Sequence, residues 1–108
     1  MASMTRQLDF ASLAQSAETA AALMGALSNS SRLLILCHLA ASGELPVGAL
    51  VERIGISQSA LSQHLAKLRA QGLVAFRREG QSLFYRVDDP GALQVIELLH
   101  SIYCPDLK

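Results

Sequence analysis

Ser57-Gln58-Ser59-Ala60-Leu61-Ser62-Gln63-His64-Leu65-Ala66-Lys67-Leu68 is the stretch on which the reading of this chain turns. At about 100° per residue, Leu61, Leu65 and Leu68 fall on one face of a helix and should pack inward. Ser59, Ser62, Gln63 and Ala66 take the opposite face, and Gln58 and His64 flank the two. Small hydroxyls and amides are poor core formers, yet they match base edges and phosphate oxygens in a major groove. Ser57 is a good N-cap for a helix from Gln58 to Gln71, which Gly72 closes. Upstream, Pro46 suits the first turn of a short helix, Val47 to Ile54, which Gly55 stops. The short helix, the Gly55-Ile56 turn and the polar-faced helix together read as a helix-turn-helix.

Working outward, Leu73 to Arg78 and Ser82 to Asp88 carry β-branched and aromatic residues around a Glu79-Gly80-Gln81 turn, which predicts a β-hairpin. Toward the N-terminus, Leu8 to Ser28 places Leu13, Ala17, Ala20, Ala21, Met24 and Leu27 at helical spacing. Ser31 to Ala41 follows, apolar nearly all round and therefore expected to be central and buried. A last helix starts at Asp88-Asp89-Pro90, runs to about Tyr103 and is ended by Pro105. The expected fold is mainly α with a small β-hairpin: a single winged helix-turn-helix domain over residues 1–108, with flanking helices at about 8–28 and 90–104.

Composition agrees with one small globular domain. The chain has 108 residues, of which 51% are apolar, so a core needs neither disulfides nor a structural metal. Unbroken apolar runs reach only five residues, as from Leu33 to Cys37, too short to span a membrane. The first residues lack a signal-peptide pattern, so a bacterial cytoplasm, in association with the nucleoid, is the expected compartment and the two cysteines are expected as thiols. Nine basic residues balance nine acidic ones, but not evenly. Between Arg53 and Val87 six cations (Arg53, Lys67, Arg69, Arg77, Arg78, Arg86) face one acid, Glu79, leaving that window at +5 and the remainder at −5. Charge alone leaves open an anionic partner or a merely solvated face. The coincidence of the basic window with the polar helix face favours double-stranded DNA over a protein-contact winged helix.

On this reading Ser57, Gln58, Ser59, Ser62, Gln63, His64 and Lys67 supply the helix contacts, and Arg77, Arg78 and Gln81 the contacts of the wing. Alternation puts Arg77 and Arg78 on opposite strand faces, so one of them suffices. In the last helix Ala92, Leu93, Val95, Ile96, Leu98, Leu99, Ile102 and Tyr103 cover an arc of about 220°, more than one core contact requires. The first helix is similarly apolar, with Gly25 able to permit close backbone approach. Both helices point to a homodimer, which would set two recognition helices about 34 Å apart on a near-palindromic operator.

The Ser57–Leu68 stretch resembles the recognition helix of the ArsR/SmtB family of bacterial repressors. Leu33-Leu34-Ile35-Leu36-Cys37-His38-Leu39 and Leu98-Leu99-His100-Ser101-Ile102-Tyr103-Cys104-Pro105 resemble, more narrowly, its metal-independent, dithiol persulfide-sensing subgroup of the HlyU, BigR and SqrR type. The resemblance covers about Ala20 to Pro105. It implies a dimeric winged-helix regulator in which Cys37 and Cys104 form the redox-sensing pair. It further implies that sulfane sulfur (persulfides and polysulfides) joins the pair through added sulfur atoms and lowers operator affinity. The subgroup holds repressors as well as counter-silencers at virulence promoters.

Read by themselves, the cysteines leave alternatives. Cys37 on a buried helix is a natural small core residue, and helix-end carbonyls disfavour a thiolate at Cys104. His100 lies one turn before Cys104 and is placed to assist it. Metal-sensing family members often carry a Cys-x-Cys-type pair where this chain has Pro46-Val47-Gly48; others use two histidines where Gly91 and Ile102 stand. His38, His64 and His100 are scattered without zinc spacing. Two thiolates can still hold a soft ion such as arsenite or Cu(I). No metal site and no cofactor is expected. Neither is an enzyme: Cys37 and His38 diverge by about 100° on a helix, and no phosphate loop or paired-carboxylate site is present.

Overall fold

Residues 9–103 are described by the computed structural model, and their helices begin and end where capping chemistry directs. Asp9 caps α1 (Phe10–Leu27), its carboxylate accepting the Ala11 and Ser12 N–H groups. A hydrogen bond from the Ser12 hydroxyl, assisted by the two backbone ones, holds the Asp9 carboxyl below its ordinary value. Asn29 caps α2 (Ser30–Ser42) by accepting the Arg32 N–H. Pro46 precedes α3 (Val47–Ile54), which Gly55 ends in a left-handed conformation at φ 79°. Ser57 caps α4 (Gln58–Ala70). The last helix, α5, spans Pro90–Tyr103, and the Asp89 carboxylate accepts the Ala92 N–H at its start.

The sheet has three strands rather than two. β2 (Val74–Glu79) and β3 (Ser82–Val87) form the expected hairpin across Gly80-Gln81, with Glu79 opposite Ser82. A two-residue β1, Leu45–Pro46, adds to the other side of β3, giving the order β1-β3-β2 with Leu45 opposite Tyr85 and Pro46 opposite Phe84. Pro46 therefore serves as an edge-strand residue and as the entry to α3, two positions that need no N–H.

The core lies where α2 meets everything else. Ile35, Leu36 and Leu39 of α2 are buried, with Leu50 of α3, Leu61, Leu65 and Leu68 of α4, Val74 and Tyr85 of the sheet, and Ala92 and Ile96 of α5. The expectation that α2 is buried needs one correction: Leu34 is 46% exposed, because no other element among the described residues covers that side. α1 departs further. Only Ala26 and Leu27 at its C-terminal end are buried, and Phe10, Leu13 and Met24 stand in the open. A Cβ at Gly25 would meet no atom within 4 Å among the described residues, so no close helix approach at this glycine occurs among them. On α5, Leu98, Ile102 and Tyr103 are exposed, consistent with an apolar arc wider than the core uses. No single helix among the described residues is long and apolar enough to cross a membrane; α1 and α2 pass such a test only jointly, across a 95° bend.

Leu36 has no exposed surface and sits within the central leucine cluster, so truncating it leaves a cavity there. Leu36→Ala should lower unfolding stability by about 2–5 kcal/mol, measured by urea denaturation.

Candidate nucleic-acid interface

The leucine stripe of α4 fixes the helix rotation, and its remaining residues then divide among three sides. Ser59 and Gln63 point outward and are exposed, and Ala66, also exposed, stands at the edge of an open cleft on the hairpin side. Gln58, Ser62 and Arg69 turn toward the hairpin and line this cleft, closed on its other sides by Pro46 at the start of α3 and by Gln81 and Leu83 of the wing. Lys67 faces the opposite way, into a crevice against the C-terminal end of α1 that also holds Arg32 and Gln71. Ser57 is exposed, and its Oγ accepts the Ala60 N–H at 3.1 Å, leaving the hydroxyl hydrogen to donate elsewhere. His64 is half-buried beside the leucine stripe.

The α1 end of this surface is held by Arg32 and Gln71. Arg32 donates to the Ala26 carbonyl at 2.9 Å and the Gly25 carbonyl at 3.2 Å, placing its charge on the C-terminal end of α1. Gln71 donates to the Ala22 carbonyl at 3.5 Å.

The wing treats its two adjacent arginines differently. Arg77 lies opposite Phe84 and Arg78 opposite Leu83, so they project from opposite faces of the sheet. Arg77 forks onto Glu44, Nε to Oε2 at 2.8 Å and NH2 to Oε1 at 3.0 Å, while NH1 donates to Glu79 at 3.1 Å. Its guanidinium also stacks on the Phe84 ring at 4.7 Å. The two carboxylates hold the Arg77 pKa above its ordinary value. Arg78, on the face shared with Phe76 and Tyr85, forms no ion pair among the described residues. Arg86 approaches Asp88 at 3.6 Å. The structure thus separates the wing residues named from the sequence: Arg78 and Gln81 are open to a ligand, and Arg77 is already engaged.

Arg69 escaped the sequence-level selection of contact residues. It lines the cleft and lies 4.7 Å above the Phe76 ring, joining α4 to the wing. The signal was available: Arg69 follows Ser62 by seven positions and Gln58 by eleven, which puts all three on one flank of a helix.

Cys37 is half-buried on α2 and lines a small cavity between α2 and α5, with Ala40, Ala41, Ile96, Glu97 and His100. Cys104 lies outside the described residues. Among the described residues no three His, Cys, Asp or Glu side chains are grouped to hold a metal ion.

Comparison with known proteins agrees with this geometry. Residues 29–75 match the family described as bacterial regulatory protein, arsR family. The chain is 51% identical over 85 residues to the transcriptional activator HlyU of Vibrio cholerae, covering 79% of this chain and 78% of that protein. The crystal structure of HlyU from Vibrio vulnificus superposes with a TM-score of 0.82 at 43% identity, over 90% of this chain and 100% of that one. The transcriptional repressor BigR from Xylella fastidiosa superposes with a TM-score of 0.81 at 37% identity, over 90% and 98% respectively.

A double-mutant cycle of Arg69→Ala with Phe76→Leu, read by urea denaturation, should give a coupling of about 0.5–1 kcal/mol. Additive losses would show that the stacking contributes nothing to the attachment of the wing.

Proposed function

The chain belongs to the arsR family of bacterial regulatory proteins, as a DNA-binding transcription regulator similar to HlyU and BigR, and on that premise we propose that it is a homodimeric repressor whose operator binding is switched off by sulfane sulfur. The observation that carries the DNA part is the partition of α4. Its leucines are buried, and its hydroxyls and amides stand beside a wing that presents Arg78 and Gln81. Gln58, Ser59, Ser62 and Gln63 reach base edges, while Ser57, His64, Lys67, Arg69, Arg78 and Gln81 hold the phosphate backbone.

The uncovered apolar surface supports the dimer. Phe10 at 69% exposed, Leu13 and Met24 on α1, and Leu98, Ile102 and Tyr103 on α5, form the kind of surface that a second copy buries. A twofold axis there sets the two α4 helices about one DNA turn, roughly 34 Å, apart on a near-palindromic operator.

Cys37 and Cys104 are the proposed switch. α5, which packs on α2 beside Cys37, leads directly into Cys104 in sequence. With a single bridging sulfur, the two cysteine thiols consume two persulfide molecules (RSSH). The products are one trisulfide bridge between the cysteines, two thiols (RSH) and one hydrogen sulfide. A direct disulfide needs Cα atoms within about 7 Å, and added sulfur lengthens the reach without moving the helices far. Peroxide supplies no such spacer.

The test is operator-binding anisotropy across a salt series, on protein that is reduced or treated with a persulfide donor, with intact mass taken in parallel. Binding should weaken steeply with salt, and Arg78→Ala should lower the slope of log K against log salt by about one. The donor should release DNA and add sulfur with loss of two hydrogens, whereas Cys37→Ser and Cys104→Ser should stay bound. Release from either serine variant would exclude the dithiol switch. Unchanged binding and mass in the parent protein would leave a constitutive DNA-binding regulator.

A further inference from the structure

The hairpin carries Arg78 and Gln81 at its outer end, and that end is the least supported part of the sheet. β1 reaches only Tyr85 and Phe84 of β3. Beyond that level the hairpin consists of Arg78, Glu79, Gly80, Gln81, Ser82 and Leu83, with no third strand beside it. The last cross-strand pair that has β1 on its far side is Arg77 opposite Phe84.

Arg77 spans the sheet at this level. It starts on the edge strand β2, crosses the Phe84 ring of the central strand at 4.7 Å and forks onto Glu44, the residue that precedes β1. NH1 meets Glu79 at 3.1 Å, at the beginning of the free tip. All three guanidinium nitrogens are therefore committed to carboxylates, and the local set of Arg77, Glu44 and Glu79 has a net charge of −1. Such a set repels a phosphate rather than attracting it. An isolated surface ion pair contributes little, but a bidentate arginine fork stacked on an aromatic ring fixes geometry as well as charge.

We propose that Arg77 is a positioning residue for DNA recognition, not a DNA contact: its fork onto Glu44 is a strut that sets the angle of the wing tip, and so the placement of Arg78 and Gln81. This assignment rests on the DNA-binding reading above and deepens it.

Charge and geometry make opposite predictions for Glu44→Gln. The substitution removes a negative charge beside the wing, which by electrostatics alone strengthens binding to a polyanion. If the fork is a strut, its loss weakens binding instead. The probe is a labelled duplex selected by the parent protein from a randomised pool, titrated by anisotropy over a salt series. Glu44→Gln should weaken binding roughly threefold to tenfold with an unchanged salt slope, since no phosphate contact is removed. Arg78→Ala should instead reduce the slope by about one. In the Arg78→Ala background, the Glu44→Gln loss should shrink, because the strut acts through that arginine. Tighter binding with a steeper slope in Glu44→Gln would show Arg77 released onto phosphate and would overturn the assignment. Unchanged affinity would overturn it as well.

Hydrogen exchange on DNA-free protein separates this idea from its premise. Glu44→Gln should speed exchange of the Arg78–Leu83 amides while leaving α2 and α4 protected. Unchanged tip exchange would refute the strut even where DNA binds. Failure of the parent protein to select any duplex would instead refute the DNA-binding reading, and would show in the parent titration before any variant is compared.

Discussion

The burial of Leu61, Leu65 and Leu68 against α2 is the constraint on which the rest of the structure depends. Three leucines on one stripe fix the rotation of α4 about its own axis, and that rotation assigns every other side chain on the helix. Ser59 and Gln63 cannot turn inward without turning a leucine out. At roughly 1.5–3 kcal/mol for each fully buried leucine, the core outweighs any rearrangement of the polar face. The same stripe docks α4 beside the hairpin, so the cleft lined by Gln58, Ser62 and Arg69 is a by-product of hydrophobic packing.

The wing shows the complementary logic. Strand alternation sends Val74, Phe76 and Tyr85 to the core and leaves Arg77 and Phe84 on the outer face. Phe76 packs on Tyr85 with ring centroids 5.3 Å apart and carries Arg69 over its ring. The inner face thus ties the hairpin to α4 by aromatic and cation contacts, and the outer face ties it to Glu44 by an ion pair. Arg78 and Gln81 lie beyond both attachments, toward the tip, where the sheet is two strands wide.

The protomer also leaves apolar surface without a use of its own. α1 buries only its last residues, and α5 buries one side of a wide apolar arc. Burial of that surface by a second copy would couple the geometry between two α4 helices to whatever changes the α2–α5 contact. Cys37 lines that contact, so under the proposed switch chemistry at a thiol far from the reading face would be transmitted through it.

Much of this was determined by the sequence alone. The helix cap at Ser57, the stop at Gly55, the leucine stripe of α4, and the hairpin turn follow from local chemistry and periodicity, which any few consecutive residues express. The third strand was not legible: Leu45-Pro46 is two residues long, too short for a period, and becomes a strand only because β3 lies beside it. Nor could sequence tell Arg77 from Arg78. Alternation places them on opposite faces, but which face meets α4 depends on how the sheet packs. The partner of Arg77 is Glu44, distant in the chain and brought near only by β1. The flank of α4 that Arg69 occupies is legible from its spacing to Ser62 and Gln58, but its partner Phe76 is met only in the fold. Local rules assign a residue its element and its face; only the tertiary fold decides which charges meet, because electrostatic partners are set by distance in space and not by distance along the chain.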